Sequence, residues 1–341
     1  MLWTLFLLHN QKGGKGLNSI FQYAENNGEV IITGLQEDVS DTSIVIPETI
    51  DGMPVTEIYG YAFCESPITD IKIGGNIRKI GDEAFYSCEK LSSVTWNHKC
   101  DVVPAFCFSE CSNLTKFDFS NVKKIGLYAF YKSGLQEVCL PKNIKVLEEG
   151  TFSGCSKLQS VAWHCQCDVI PAFCFDKCSN LTQFDFSGIK KIGQYVFYKS
   201  GLQEVYLTEK IEILDKGTFS GCSKLQSVTW HGQCDVIPAD CFFGCSDLMQ
   251  FDFSGVKKIE ARAFMGSGLT SVRLSKKTAV EQSCFACCND LEKIEWLSDR
   301  NIEKTIFAEC KNIKEIFISD KVKNIEVSAF TSSHNAEISF I

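Results

Sequence analysis

The chain has 341 residues, a formal net charge of −8 and 45% hydrophobic residues. The acidic balance disfavours a nucleic-acid backbone as partner, because phosphate contacts draw on clustered Lys and Arg. The apolar content is that of an ordinary globular chain, and no stretch approaches the roughly 20 apolar residues of a membrane-spanning helix.

Residues 1–20 read as a leader or flexible segment. Met1 to Leu8 (MLWTLFLL) is apolar but lacks a basic leading region and a small-residue cleavage site. The K-G-G-K-G word at 12–16 reads as a joint; it lacks the full phosphate-loop pattern and its strand-to-helix setting.

Beyond residue 54 the chain is ruled by phenylalanine. Phe63, Phe85, Phe108, Phe130, Phe152, Phe175, Phe197, Phe219, Phe242, Phe264, Phe285, Phe307 and Phe330 follow one another at gaps of 21, 22 or 23 residues. A fixed period of this length marks a solenoid of stacked coils. After Phe85 come Cys88, Leu91, Val94 and Trp96; after Phe152 come Cys155, Leu158, Val161 and Trp163; after Phe219 come Cys222, Leu225, Val228 and Trp230. The L-x-x-V-x-W stretch ends in an apolar–variable–apolar alternation, which predicts a short strand with one buried face. An aliphatic residue precedes each phenylalanine by five positions, as Ile80 precedes Phe85. The segment between, Ile80 to Cys88 in that coil, is too short for an amphipathic helix. A turn or two of helix or irregular backbone is the expected return path. Thirteen coils at a strand spacing of about 4.8 Å span roughly 60 Å.

One coil cannot fold alone. About six buried side chains contribute on the order of 10–15 kcal/mol, while ordering its backbone costs at least as much. Stacking, which buries both flanks, is what makes the total favourable. Above the coil lies a block of 67 residues: residues 152–207 and 219–274 align without gaps and match at 39 of 56 positions.

The pattern A-F-x-x-C-x-x-L-x-x-I-x-L followed by I-x-x-I-G-x-x-A-F resembles the BspA-type leucine-rich repeats. Phe21 to Tyr23, Glu29 to Gly34 and Ile46 to Ile58 resemble that family's N-terminal cap, so the resemblance covers residues 21–341, with a cap at 21–53 and repeats at 54–341. It implies an α/β repeat solenoid: a right-handed leucine-rich-repeat solenoid of about 13 coils with a parallel sheet on one face. It also implies a non-enzymatic, adhesin-like cell-surface protein that binds host or matrix proteins through the strand face. Two departures stand out. Val122, Ile189 and Val256 occupy the position where other leucine-rich repeats carry Asn, and no membrane anchor or sorting motif is recognisable. An intracellular scaffold of the same fold is the alternative, and the unconvincing leader leaves the cytoplasm open.

Nineteen cysteines suggest disulfides, but the repeat explains most of them as core thiols. Cys88, Cys111, Cys155, Cys178, Cys222, Cys245, Cys288 and Cys310 sit three residues after a phenylalanine. Cys107, Cys174, Cys241 and Cys284 sit one residue before, while Cys100, Cys167 and Cys234 fill an aliphatic register. Cys64, Cys139, Cys165 and Cys287 fall outside these registers, and Cys139, between Val138 and Leu140, is expected to face outward. His164 to Asp168 (HCQCD) is the densest ligand-like word, with weaker equivalents around His98 and His231. A zinc site wants four convergent ligands, and in this register Cys167 faces inward while His164 faces outward, so no metal is expected. The paired lysines at 123–124, 190–191 and 257–258 read as isolated dibasic turns. No cofactor and no catalytic group is expected.

The variable face carries the expected function. Its middle row runs Lys72, Thr95, Asp118, Cys139, Ala162, Asp185, Tyr206, Thr229, Asp252, Arg273, Glu295 and Phe317; a flanking row holds His164, Thr208, His231 and Leu297. Asp118, Asp185 and Asp252, in F-D-F triplets, read as solvated acidic points three coils apart, roughly 14 Å, too far for an acid–base pair. Trp96, Trp163, Trp230 and Trp296 read as core. Surface Tyr, Phe and Arg are typical interface anchors, so Tyr206, Arg273 and Phe317, with Asp185, Asp252 and His231, are the expected protein-binding residues. The last coil closes with Ile338 to Ile341 and no polar segment, which reads as a frayed end or one open to self-association.

Overall fold

A computed structural model describes residues 20–37, 39, 41–96, 99–231, 235–333 and 336–341. The readings made for Met1 to Leu8, the 12–16 word, His98 and Cys234 lie outside the described residues. The chain divides into two compact units, Met1–Cys167 and Asp168–Ile341. Coils of one kind, each carrying short parallel strands, build both.

The expected strand forms where apolar and variable residues alternate. In the first unit Ser43–Val45, Asp70–Lys72 and Ser93–Thr95 pair in parallel, as do Glu137–Leu140 and Ser160–Trp163. In the second, Glu204–Leu207 pairs with Ser227–Trp230, and Ser271–Leu274, Lys293–Trp296, Glu315–Ile318 and Glu337–Phe340 form a four-stranded parallel sheet. Glu137–Leu140 shows the alternation cleanly, with Val138 and Leu140 buried and Glu137 and Cys139 exposed.

A second parallel ladder runs along each unit. It consists of two-residue strands ending in the aliphatic residue that precedes each phenylalanine by five. Val102–Val103, Lys124–Ile125 and Val146–Leu147 are one such set; Val236–Ile237, Lys258–Ile259 and Ala279–Val280 are another. The return path is therefore partly sheet, and the α/β expectation is corrected. The 3-10 turn Val327–Phe330 is the one helical element among the described residues.

The reason lies in the corner that carries the phenylalanine. The residues two before and two after it adopt left-handed backbone: Glu83 and Ser87 around Phe85, at φ 60° and 56°, and Tyr195 and Lys199 around Phe197, at 53° and 54°. This conformation aims alternate amides at the next coil. The N–H groups of Glu83, Phe85 and Ser87 donate to the carbonyls of Ala105, Cys107 and Ser109, while those of Tyr86 and Cys88 donate back within the coil. A helix would turn all these bonds inward and leave the neighbouring coil's carbonyls without donors, which buried backbone rarely tolerates.

Inside, the phenylalanines stack on their counterparts one coil away. Phe63 and Phe85 lie 5.3 Å apart with ring planes 2° from parallel; in the second unit Phe219 and Phe242 lie 5.6 Å apart at 9°. The tryptophan reading holds fully for Trp296, which is buried; Trp96, Trp163 and Trp230 are half-buried. The indole N–H of Trp96 donates to the carbonyl of Cys100 at 2.8 Å, so its polar edge closes a turn rather than entering the core.

At the start of the first unit, Phe21–Asn26 pairs antiparallel with Glu29–Leu35, which pairs in parallel with Met53–Ile58. This antiparallel entry lies over the segment read as a cap. No helix of the described residues is long and apolar enough to cross a membrane.

Candidate functional site

The outward strand positions of the second unit separate into two groups. Tyr206 projects from Glu204–Leu207 and is 57% exposed. Its ring meets the exposed His231 ring edge-on, 5.5 Å between centroids. The strand alternation places Tyr206 outside, because Val205 and Leu207 occupy the inward positions, and His231 follows directly on the neighbouring strand Ser227–Trp230.

Arg273, Glu295 and Phe317 lie side by side on three adjacent strands of the four-stranded sheet. The Arg273 guanidinium pairs with the Glu295 carboxylate at 2.8 Å. Lys293 reaches the other oxygen of Glu295 at 3.2 Å and sits 5.1 Å from the centre of the half-buried Phe317 ring. A second carboxylate, Glu315, lies 3.9 Å from Lys293. Lys293 was not singled out from sequence; its signal was its place two residues before Glu295, on the same face of the strand. The two groups stand about three coils apart, roughly 14 Å at normal strand spacing.

Asp185 and Asp252 are exposed but lie outside any strand. Asp185 accepts a hydrogen bond from the backbone N–H of Ser187, and Asp252 from that of Ser254, both at 2.9 Å; Asp118 does the same with Ser120 in the first unit. These Asx turns bend the chain at each F-D-F triplet, which is why the first ladder breaks there. Their carboxylates thus serve the turn first, leaving less of each free for a partner than a strand-borne aspartate would.

The paired lysines are neutralised locally. Lys123 pairs with Asp101 at 3.0 Å and Lys124 with Glu148 at 2.6 Å; Lys257 pairs with Asp235 at 2.6 Å and Lys258 with Glu281 at 2.7 Å. The Lys257 ammonium holds the Asp235 carboxyl below its ordinary range.

No disulfide joins the described cysteines. The thiols three residues after a phenylalanine are buried, and those of Cys88, Cys111, Cys155, Cys222, Cys245, Cys288 and Cys310 donate to the carbonyl of the phenylalanine one coil earlier. Cys88 donates to Phe63 at 2.9 Å, Cys222 to Phe197 at 3.0 Å and Cys310 to Phe285 at 3.0 Å. Burial pushes the Cys88 thiol up to about 12 and the Cys222 thiol to about 11. Cys139 is exposed, as its register requires, and Cys64, Cys165 and Cys287 are half-buried. In the HCQCD word His164 is exposed, and the hydrogen bond between the Cys165 and Cys167 thiols pushes the Cys165 thiol well above its ordinary range. Among the described residues no three His, Cys, Asp or Glu side chains converge as a metal site would require.

Coils of short parallel strands with a varied outer row define a repeat protein of the protein-interaction class. The chain belongs to the BspA-type leucine-rich repeat family, whose model matches it in overlapping stretches at residues 36–159, 119–226, 168–292 and 214–337. No curated protein matches the sequence. Similar solved structures include a leucine-rich repeat protein from Bacteroides ovatus, 22% identical over 96% of this chain and 100% of that one, with a TM-score of 0.63. A leucine rich cell surface protein from Faecalibacterium prausnitzii is 20% identical over 95% of this chain and 93% of its own, with a TM-score of 0.54. The pneumococcal vaccine antigen PcpA is 14% identical over 95% and 92%, with a TM-score of 0.59. At these identities the likeness is one of fold.

Proposed function

We propose that this chain is a non-enzymatic, adhesin-like surface protein that engages a host or matrix protein through the outward strand row of residues 168–341. One observation carries the reading: Tyr206 with His231, and Arg273 with Glu295, Lys293 and Phe317, are anchor residue types held in place by adjacent coils. Pre-positioned aromatic and Arg side chains lose little freedom on binding, so more of their contact energy survives as affinity. Residues 21–53 act as the cap of the repeats.

Tyr206→Ala and Phe317→Ala should each weaken partner binding by about tenfold, a loss of about 1.4 kcal/mol. Their melting temperatures should stay within about 2–4 °C of the parent, as expected for ~1 kcal/mol in a large domain. Unfolding of both variants would show that these side chains serve the core instead. The intracellular scaffold is favoured by one observation, the absence of disulfides among the described cysteines. Labelling the surface of intact cells separates the two readings: a protected chain ends the adhesin reading.

A further inference from the structure

The corner that carries the phenylalanine presents a second surface, distinct from the strand row. In the second unit Phe173 stacks on Tyr195 at 5.8 Å with planes 8° apart, and Tyr195 meets Tyr198 edge-on at 5.9 Å. The first unit holds the same frame: Phe106 on Tyr128 at 5.6 Å and 13°, then Tyr131 at 5.7 Å. What differs is the charge around it. Glu110 and Glu149 of the first unit correspond, 67 residues on, to Lys177 and Lys216, while Lys132 corresponds to Lys199. Between the two frames both acids have become bases.

The replacement is not a general drift in charge. Over the same 67-residue offset, Lys142 and Lys145, in the turn between the two ladders, become Glu209 and Glu212. Positive charge has moved from one corner of the coil to another, onto the aromatic frame. The Lys199 ammonium lies 5.1 Å from the Tyr198 ring centre and the Lys216 ammonium 5.8 Å from that of Tyr195. Lys177, Lys199 and Lys216 are exposed; Lys177 also approaches Asp176 at 3.6 Å. The frame is rigid, because Tyr195 is wedged between Phe173 and Gly217, where a Cβ would fall inside the ring.

We propose that this corner of the second unit is a docking surface for an acidic segment of another protein. Carboxylates meet three ammonium groups, where the matching corner of the first unit offers only Lys132, already paired with Glu110 at 3.1 Å, and tyrosine hydroxyls at the rim donate hydrogen bonds to them. A sugar platform fits less well, since stacking a sugar needs an open ring face. Phe173 and Gly217 close both faces of Tyr195, and Lys199 lies over Tyr198.

The probe is a fluorescent oligoglutamate peptide, titrated against the full chain by anisotropy at low salt. One site is expected, weakening as salt is raised. The triple variant Asp176→Ser, Lys177→Glu and Lys216→Glu copies Ser109, Glu110 and Glu149, residues the first unit already accommodates, and should lower affinity at least tenfold. The reverse exchange, Glu110→Lys with Glu149→Lys, should create a second site. Tyr206→Ala should leave peptide binding unchanged, which keeps this surface separable from the strand row. The proposal fails if the peptide does not bind, or if the triple variant binds equally well. It also fails if a heparin fragment binds through these lysines while the peptide does not.

Discussion

The residue three places after each phenylalanine shows how one side chain joins neighbouring coils. It is Cys in eight coils and Ser in others, and both are small donors. Where Cys stands, its thiol reaches the previous phenylalanine's carbonyl, as Cys245 does to Phe219 at 3.2 Å. At Ser133, Ser200 and Ser267 the hydroxyl instead contacts the next coil's thiol, as Ser200 does with Cys222 at 3.3 Å. A thiol held above its ordinary pKa in the folded state loses its proton first in the unfolded chain. Its contribution to stability is whole below the ordinary thiol range near ~8.5 and is lost as pH rises through the folded value. That folded value is about 12 for Cys88 and Cys284. The melting temperature should therefore fall between about pH 8 and about pH 11, and less steeply in Cys88→Ser, whose hydroxyl does not titrate there. Identical slopes for parent and variant would contradict this. Spacing made the inward direction of these cysteines legible, and the outward direction of Cys139. It could not show which carbonyl lies opposite, because that depends on how far one coil is displaced along the next.

The elements were legible in proportion to their length. The strand at Glu137–Leu140 spans two full alternations, so its buried face could be read directly. A two-residue strand such as Lys191–Ile192 has no alternation to read, and its aliphatic residue looked like one more core position on a return path. The F-D-F triplets misled for a different reason: aromatic–polar–aromatic satisfies the strand pattern, while the aspartate closes a turn onto the amide two residues later. Phe184 and Phe251 are accordingly half-buried. The left-handed corner was hidden because non-glycine residues fill it, at a cost of roughly 1–2 kcal/mol each that the inter-coil backbone bonds offset. Glycine marks the places where a side chain is excluded as well. At Gly217, φ is 66° and an added Cβ would enter the Tyr195 ring. Gly217→Ala should destabilise by about 2–4 kcal/mol from the combined backbone and packing costs. Adding Tyr195→Ala removes the clash but not the backbone cost, so the double variant should lose less than the sum of the two single changes. Strict additivity in denaturant titrations would show that the ring is not what excludes the side chain.

At the scale of the whole molecule the 67-residue block separates folding from recognition. Each coil's core residues contact counterparts one coil away, so stability accumulates coil by coil, and three coils can be removed if the register is kept. The outer row of the strands follows no such rule: Thr229 of one block stands where Ala162 stands in another, and Arg273 stands where Tyr206 does. Excising residues 197–263 joins Val196 to Phe264, so that a phenylalanine again follows in register and the thiol–carbonyl spacing is preserved. It removes Tyr206, His231 and Asp252 while keeping Arg273, Glu295 and Phe317. The shortened chain should fold cooperatively with a β-rich circular dichroism spectrum and a melting temperature below the parent's, and its partner affinity should drop as it does in Tyr206→Ala. Excising 197–252 instead joins Val196 to Phe253, placing an F-D-F residue at a stacking position, and should yield an aggregated product. If both deletions fold alike, the register does not govern stacking. If the first folds and binds its partner as the parent does, recognition rests on the Arg273 and Phe317 group alone.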